Sequence, residues 1–344
     1  MTFQDLELSE LIINAINDKG YSELTQVQSE AIPAILSGRD ILGCAHTGSG
    51  KTAAFALPIL EFISKKILAE GECNDILALI LAPTRELAIQ IGESFESYGK
   101  YLDVKIGVVY GGITPKRHIK VLKRFPNVLV ATPGRLLDLM SKGQVNLSKV
   151  ETFVLDEVDQ MLDSRSREDV HMIIDRLPLD RKNIMFSATM PNSVLKLTDS
   201  ILVNPVKIDD KSGRSDAEVK SADIDQNVYF VDGPDKIELL LEIMEAISFD
   251  SVLIFTRTKK KADQVCKMIN KQNIRSKAIH GDINQSERIN ALKLFKSKEV
   301  KVLVATDVAA RGIDIKGISH VINMNIPDVP ETYIHRIGRT ARAG

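Results

Sequence analysis

Tryptophan is absent from this chain, cysteine occurs only three times, and aromatic residues make up 5% of the sequence. The missing tryptophan removes one optical probe and excludes nothing. Cys44, Cys73 and Cys266 are scattered and form no CxxC pair. That spacing argues against a disulfide framework or a thiolate zinc site and for a reducing compartment. So few aromatics disfavour a module that stacks bases on rings. No apolar run reaches membrane-spanning length, and Met1-Thr2-Phe3-Gln4-Asp5 does not resemble a secretory leader. A soluble cytoplasmic protein with no membrane association is the expectation. Net charge is -1, so any basic surface for a nucleic acid must be local.

What is present is 344 residues, 44% of them hydrophobic, enough for two α/β domains. Apolar runs of strand length alternate with helical patterns, the mark of parallel sheets flanked by helices. In the first segment the runs are 40–44, 77–82, 106–110, 127–131, 152–155 and 183–186. In the second they are 251–255, 276–279, 301–305 and 320–323. The polar stretch from Asp209 to Glu218 has no apolar period and reads as a linker or exposed loop. The expected division is residues 1–208, a linker over 209–224, and a second domain over 225–344. Polar, Gly-bearing segments follow most runs, at the strand ends where open α/β sheets bind ligands.

Ala45-His46-Thr47-Gly48-Ser49-Gly50-Lys51-Thr52 follows the first run and reads as a phosphate-binding loop. Gly48 and Gly50 let the backbone curl, so that Thr47, Gly48, Ser49 and Gly50 turn N–H groups toward phosphate oxygens. Lys51 would reach the β- and γ-phosphates, and the Thr52 hydroxyl would ligate Mg²⁺. The usual motif opens with Gly, where Ala45 stands here; the rival reading is a Gly-rich turn before an ordinary helix. At the end of a later run, Asp156 would hold Mg²⁺ and Glu157 would orient or deprotonate water. Surface carboxylates capping a helix are the alternative there.

Near the end of the chain, Arg336, Arg339 and Arg342 are spaced to share one helix face. Their guanidinium forks suit phosphate charge, although a solvated basic helix has the same pattern. Pro83-Thr84-Arg85, Gly111-Gly112 and Thr132-Pro133-Gly134-Arg135 combine small residues, hydroxyls and arginine, chemistry that grips a sugar-phosphate backbone. Thr132 and Pro133 also suit the cap and first position of a helix.

Taken in order, AHTGSGKT, PTRELA, GG, TPGR, DEVD, SAT, IFTRTK, HGD, ATDVAARGID and HRIGRTAR resemble the DEAD-box ATP-dependent RNA helicases, in flavour the bacterial RhlE type. The resemblance implies two RecA-like domains, ATP and Mg²⁺ as cofactors, RNA as partner, and a monomeric core. It implies RNA-stimulated hydrolysis coupled to lobe closure, RNA bending and local strand separation. Gln28 matches the adenine-reading glutamine, with Phe3 and Tyr21 at the nearby aromatic positions. Asp159, Ser187, Thr189 and His335 match the segments that couple hydrolysis to strand separation. Asp314 matches a ribose contact, and Arg339 and Arg342 match the arginine fingers. Pro83, Thr84, Arg85, Gly111, Gly112, Thr132, Gly134 and Arg135 match RNA contacts of the first lobe, and Arg257, Gly281 and Thr306 those of the second.

The chain departs from the family at several points. Leu24-Thr25-Gln26-Val27-Gln28 lacks two customary prolines, His46 replaces a glutamine, and Ala341 replaces a glycine between the fingers. Val158 replaces the alanine of the family's name, a packing change costing about 1–3 kcal/mol if the site cannot relax. The resemblance also implies a further strand and helix after Gly344, so a truncated second lobe is expected. An ATP-gated RNA clamp that hardly unwinds and a DNA-directed motor of the same architecture are the rival functions, with a nucleotide kinase third.

Overall fold

The computed structural model describes residues 2–45, 48–162, 166–209, 224–307, 318–328 and 330–340, without the side chains of Pro115, Glu331 and His335. The chain divides into two units, Met1–Ser212 and Gly213–Gly344. In the first, α1 (Glu10–Asn17) and α2 (Gln26–Leu36) precede β1 (Ile41–Cys44) and α3 (Lys51–Glu70). Then come β2 (Ala78–Leu81), α4 (Arg85–Tyr98), β3 (Ile106–Val109), α5 (Pro115–Leu122), β4 (Val128–Ala131) and α6 (Pro133–Ser141). β5 (Thr152–Asp156), α7 (Val158–Leu162), α8 (Arg167–Ile174), β6 (Lys182–Ser187), α9 (Asn192–Ile201) and β7 (Val206–Asp209) complete it.

Among the described residues these strands form one parallel sheet in the order β3-β4-β2-β5-β6-β1-β7. Burial on both faces explains why its strands read as continuous apolar runs. Side chains of a strand alternate between faces, and here they feed two cores. Ala78, Ile80, Val128, Val130, Val154, Ile184 and Phe186 enter one. Leu79, Leu81, Leu129, Ala131, Phe153, Leu155 and Met185 enter the other.

The second unit contains α10 (Lys236–Ala246), β8 (Val252–Phe255), α11 (Lys259–Lys271), β9 (Ser276–Ile279), α12 (Gln285–Lys296), β10 (Val302–Ala305), β11 (His320–Asn323) and α13 (Pro330–Ile337). Its described strands are parallel, in the order β11-β8-β10-β9. The same alternation holds: Leu253, Phe255, Leu303 and Ala305 face one core, while Val252, Ile254, Val302 and Val304 face the other.

Two expectations need correction. β7 was not expected, and it takes in Asp209, where the linker was expected to start; Asp209 lies in register with Cys44. Arg336 and Arg339 do not share a helix face, because α13 ends at Ile337 and Arg339 lies in the turn that follows. Gly338 N–H still closes on Ile334 O at 2.9 Å, and Thr340 Oγ1 donates to Ile318 O at 2.7 Å.

Candidate active site

The loop after β1 turns through two left-handed glycines, Gly48 at φ 92° and Gly50 at φ 89°. Gly50 is the N-cap of α3, and a Cβ there would collide with the Gln28 amide and the Thr25 hydroxyl. Glycine is therefore required both by conformation and by space. Lys51 opens the helix and is buried at 6% exposure. Its Nζ donates to Ala45 O at 2.9 Å and lies 3.8 Å from Asp156 Oδ1, which fixes the ammonium over the loop. Thr52 follows in the first turn of α3. Thr47 lies outside the described residues.

Asp156 ends β5 and is 2% exposed. Burial raises its pKa, against the pull of Lys51 and of the Glu157 N–H, which donates to Oδ1 at 3.0 Å. Its neighbour Glu157 has φ 56°, a left-handed conformation that costs a non-glycine residue about 1–3 kcal/mol. The strand end thus carries consecutive carboxylates, with that of Asp156 beside Lys51. Among the described residues, no cluster of three or more His, Cys, Asp or Glu could hold a metal. One carboxylate plus the Thr52 hydroxyl fits Mg²⁺ instead, a hard cation that completes its shell with phosphate oxygens and water.

Two residues beyond Glu157, the Asp159 carboxylate accepts from Thr189 N–H at 3.0 Å and Thr189 Oγ1 at 2.9 Å. The Asp159 N–H donates to Ser187 Oγ at 3.2 Å, and that hydroxyl donates to Thr189 O at 2.7 Å. The segment after β6 is thus tied to the segment after β5. The side chain of His335, expected in the same network, is outside the described residues.

Gln28 is buried beneath the loop. Its Oε1 accepts from Thr25 N–H at 3.0 Å and its Nε2 donates to Gly50 O at 3.2 Å. Thr25 caps α2 by accepting from Gln28 N–H and donates its hydroxyl to Ser49 O at 2.8 Å. This capping box orders the segment without the two customary prolines. Thr25 had been given no role, although Thr-x-x-Gln before an apolar run was the signal to look for. Of the two aromatics, Phe3 is 4% exposed and packs in the core, whereas Tyr21 is 40% exposed.

The remaining candidates of this unit gather after β2, β3 and β4. Thr84 caps α4 by accepting from Leu87 N–H at 3.2 Å, and Arg85 begins that helix after Pro83. The Arg85 guanidinium lies on the Gly111-Gly112 turn; Gly112 has φ 83°, and a Cβ there would overlap Arg85 Nη1. Thr132 occupies the cap position of α6, with Pro133 first in the helix. Gly134 faces Asp169, where a Cβ would come 3.2 Å from Oδ2. Arg135 Nη2 donates to Ile113 O at 3.1 Å, and Nη1 lies 3.2 Å from Nδ1 of His118. His118 is 1% exposed, and its Nε2 also lies 3.2 Å from Tyr110 N. Burial first, then Arg135, pushes its pKa down to about 4. The motif reading passed over His118.

In the second unit Arg257, Gly281 and Thr306 follow β8, β9 and β10, at one edge of that sheet. Arg257 pairs with Asp328 at 2.7 Å on the surface, and Lys259 pairs with Asp282 at 2.5 Å beside Gly281. Arg336 serves the unit's own interior. It is 4% exposed, forks onto Asp307 at 2.6 and 2.7 Å, donates to Asn323 Oδ1 and Asn325 O, and lies over the Phe255 ring. Asp314 and Arg342 lie outside the described residues.

Residues 25–197 match the family model DEAD/DEAH box helicase, and residues 235–344 match the helicase conserved C-terminal domain. The DEAD-box ATP-dependent RNA helicase CshA of Bacillus cereus is 40% identical over 343 residues, which cover 100% of this chain and 63% of that protein. The DEAD-box ATP-dependent RNA helicase RhpA of Helicobacter pylori is also 40% identical, with 100% of this chain and 68% of that protein covered. The chain therefore spans about two thirds of the length of these relatives. Among solved structures, S. cerevisiae Dbp5 bound to RNA and ADP BeF3 matches with TM-score 0.84 and 30% identity, covering 100% of this chain and 87% of that one. A DEAD box protein from Methanococcus jannaschii matches with TM-score 0.58 and 39% identity, covering 100% of this chain and 90% of its own. The chain belongs to the DEAD/DEAH box helicase family.

Proposed function

We propose that this chain is the core of an ATP-dependent RNA helicase, a cytoplasmic enzyme whose ATP hydrolysis is stimulated by RNA and coupled to closure of its two units. One observation carries the reading: Glu157 lies two residues from Asp159, which is hydrogen-bonded to Ser187 and Thr189. A change at the hydrolytic carboxylate thereby has a covalent and hydrogen-bonded path to the next strand end. In this reading Lys51 and the N–H groups of Gly48, Ser49 and Gly50 hold the phosphates, and Glu157 orients the attacking water. Mg²⁺ held by Thr52 and Asp156 supplies charge neutralisation at the phosphates. Gln28 and Tyr21 border the base, and Arg339 and Arg342 bring positive charge to the γ-phosphate.

Arg85, Gly112, Thr132, Arg135 and Arg257 grip the backbone of RNA, so sequence selectivity is low. Preference for RNA over DNA comes from contacts to 2′-hydroxyls. Names of the bacterial relatives and the RNA-bound state of Dbp5 support this assignment of substrate. The test is steady-state ATP turnover with Mg²⁺, with and without RNA or matched DNA, beside Glu157→Gln. Turnover that RNA raises, DNA does not, and Glu157→Gln lowers by about 100-fold or more is expected. ATP-dependent RNA binding without turnover would mean a clamp, and equal stimulation by DNA would mean a DNA-directed motor.

A further inference from the structure

His118, on α5, belongs to none of the motifs matched to phosphate or RNA. It nevertheless joins two of them. Its Nε2 faces Tyr110 N–H at 3.2 Å, directly before the Gly111-Gly112 turn, and its Nδ1 faces Arg135 Nη1 at 3.2 Å. The Tyr110 ring meets the imidazole edge to face at 5.5 Å between centroids, so the ring cannot swing without disturbing the end of β3. Arg135 is held from the other side by Ile113 O, which lies just after the same turn. In the tautomer whose lone pair is on Nδ1, the guanidinium is held at both Nη atoms, by His118 and by Ile113 O.

We infer that His118 is a positioning residue for RNA binding, holding Arg135 in register with the Gly111-Gly112 turn so that its remaining donors meet a backbone phosphate. This rests on the proposed RNA-binding role of Arg135. A guanidinium already fixed in its working orientation loses little rotamer freedom on binding, which is how such a residue raises affinity without touching the ligand. The chemistry sets a condition on residue type. A neutral imidazole has one lone pair, yet two N–H donors face its two nitrogens. A glutamine carbonyl keeps one acceptor at this site, whereas leucine offers none.

The test measures affinity of the whole chain for a fluorescently labelled single-stranded RNA, in the presence of Mg²⁺ and a non-hydrolysable ATP analogue. The variants are His118→Leu, His118→Gln, Arg135→Ala and the His118→Leu/Arg135→Ala double, with a thermal melt of each. Loss of one charge-assisted hydrogen bond predicts a weakening of about tenfold for His118→Leu. His118→Gln should stay within about twofold of the parent, since the acceptor is restored. The double variant should bind no more weakly than Arg135→Ala alone. If leucine does not fold at this site, His118→Met supplies a second side chain without a strong acceptor. Parent-like binding by His118→Leu, equal losses for Gln and Leu, or multiplying losses in the double would overturn the inference while leaving RNA binding by Arg135 intact. Parent-like binding by Arg135→Ala would instead remove the RNA role on which the inference rests.

Discussion

At the scale of single residues, the proposed mechanism rests on polar groups buried at strand ends. His118 shows what burial costs when a charge is near. Native packing depresses its pKa to about 4, whereas an unfolded chain holds histidine near its ordinary 6.5. Between these values the unfolded state binds a proton that the native state refuses. Stability therefore falls as pH drops from 6.5 toward 4, and is unaffected by this group above 6.5. The expected loss is about 1.6 kcal/mol between pH 6.5 and 5, approaching the 1.36 kcal/mol per unit of proton linkage at the lower end. Urea unfolding of the parent and of His118→Gln across that range isolates the effect, because all other titrating groups are common to both. Stability curves that run parallel would show that the imidazole is free to take its proton. Glu157, one of several non-glycine residues with a left-handed backbone, is the one whose strain falls at the proposed hydrolytic site.

At the scale of elements, the fold depends on how the strand beginnings are held together. Asp40, just before β1, is buried and its carboxylate accepts from Asn183 N–H at 2.9 Å, Asn183 Nδ2 at 3.4 Å and Val203 N–H at 2.9 Å. One side chain therefore ties β1 to β6 and to the approach to β7. Asp40→Ala leaves two backbone donors without this acceptor and should cost about 2–4 kcal/mol by urea denaturation, with Asp40→Asn recovering part of it. A loss below about 0.5 kcal/mol for the alanine variant would show that water replaces the carboxylate. Much of this architecture was legible in the sequence, because strands such as Ala78–Leu81 and Val302–Ala305 are buried on both faces and so stand out as unbroken apolar runs. β7 was not legible: of Val206, Lys207, Ile208 and Asp209 only Ile208 is buried, so its pairing with β1 left no run to see. The phosphate loop and the carboxylates after β5 could be placed from motif order alone. The ties of Thr25 to the loop, of His118 to Arg135 and of Arg336 to Asp307 could not, since each joins residues through folding and no fixed spacing announces it.

At the scale of the whole molecule, each unit carries its own layered core, with sheet faces covered by helices of the same unit. A division of labour follows from where the chemistry lies. Residues 1–209 hold Lys51, Thr52, Asp156, Glu157 and Gln28, whereas Arg339 and Arg342 belong to the second unit. In the proposed mechanism phosphate binding draws on the first set alone, whereas the developing charge of hydrolysis also draws on the second. An excised fragment of residues 1–209 should therefore fold, because both faces of its sheet remain covered. It should still bind a fluorescent ATP analogue with Mg²⁺, and Lys51→Ala should abolish that binding. Its turnover should stay at the RNA-free level however much RNA is added, with the shortfall about 10³-fold or more if arginine fingers contribute as they do in other phosphoryl-transfer enzymes. Adding the fragment to RNA at rising concentration and measuring phosphate release decides the matter. RNA-stimulated turnover at the level of the whole chain would show that the first unit contains the complete catalytic set, and that Arg339 and Arg342 serve the second unit's own structure as Arg336 does.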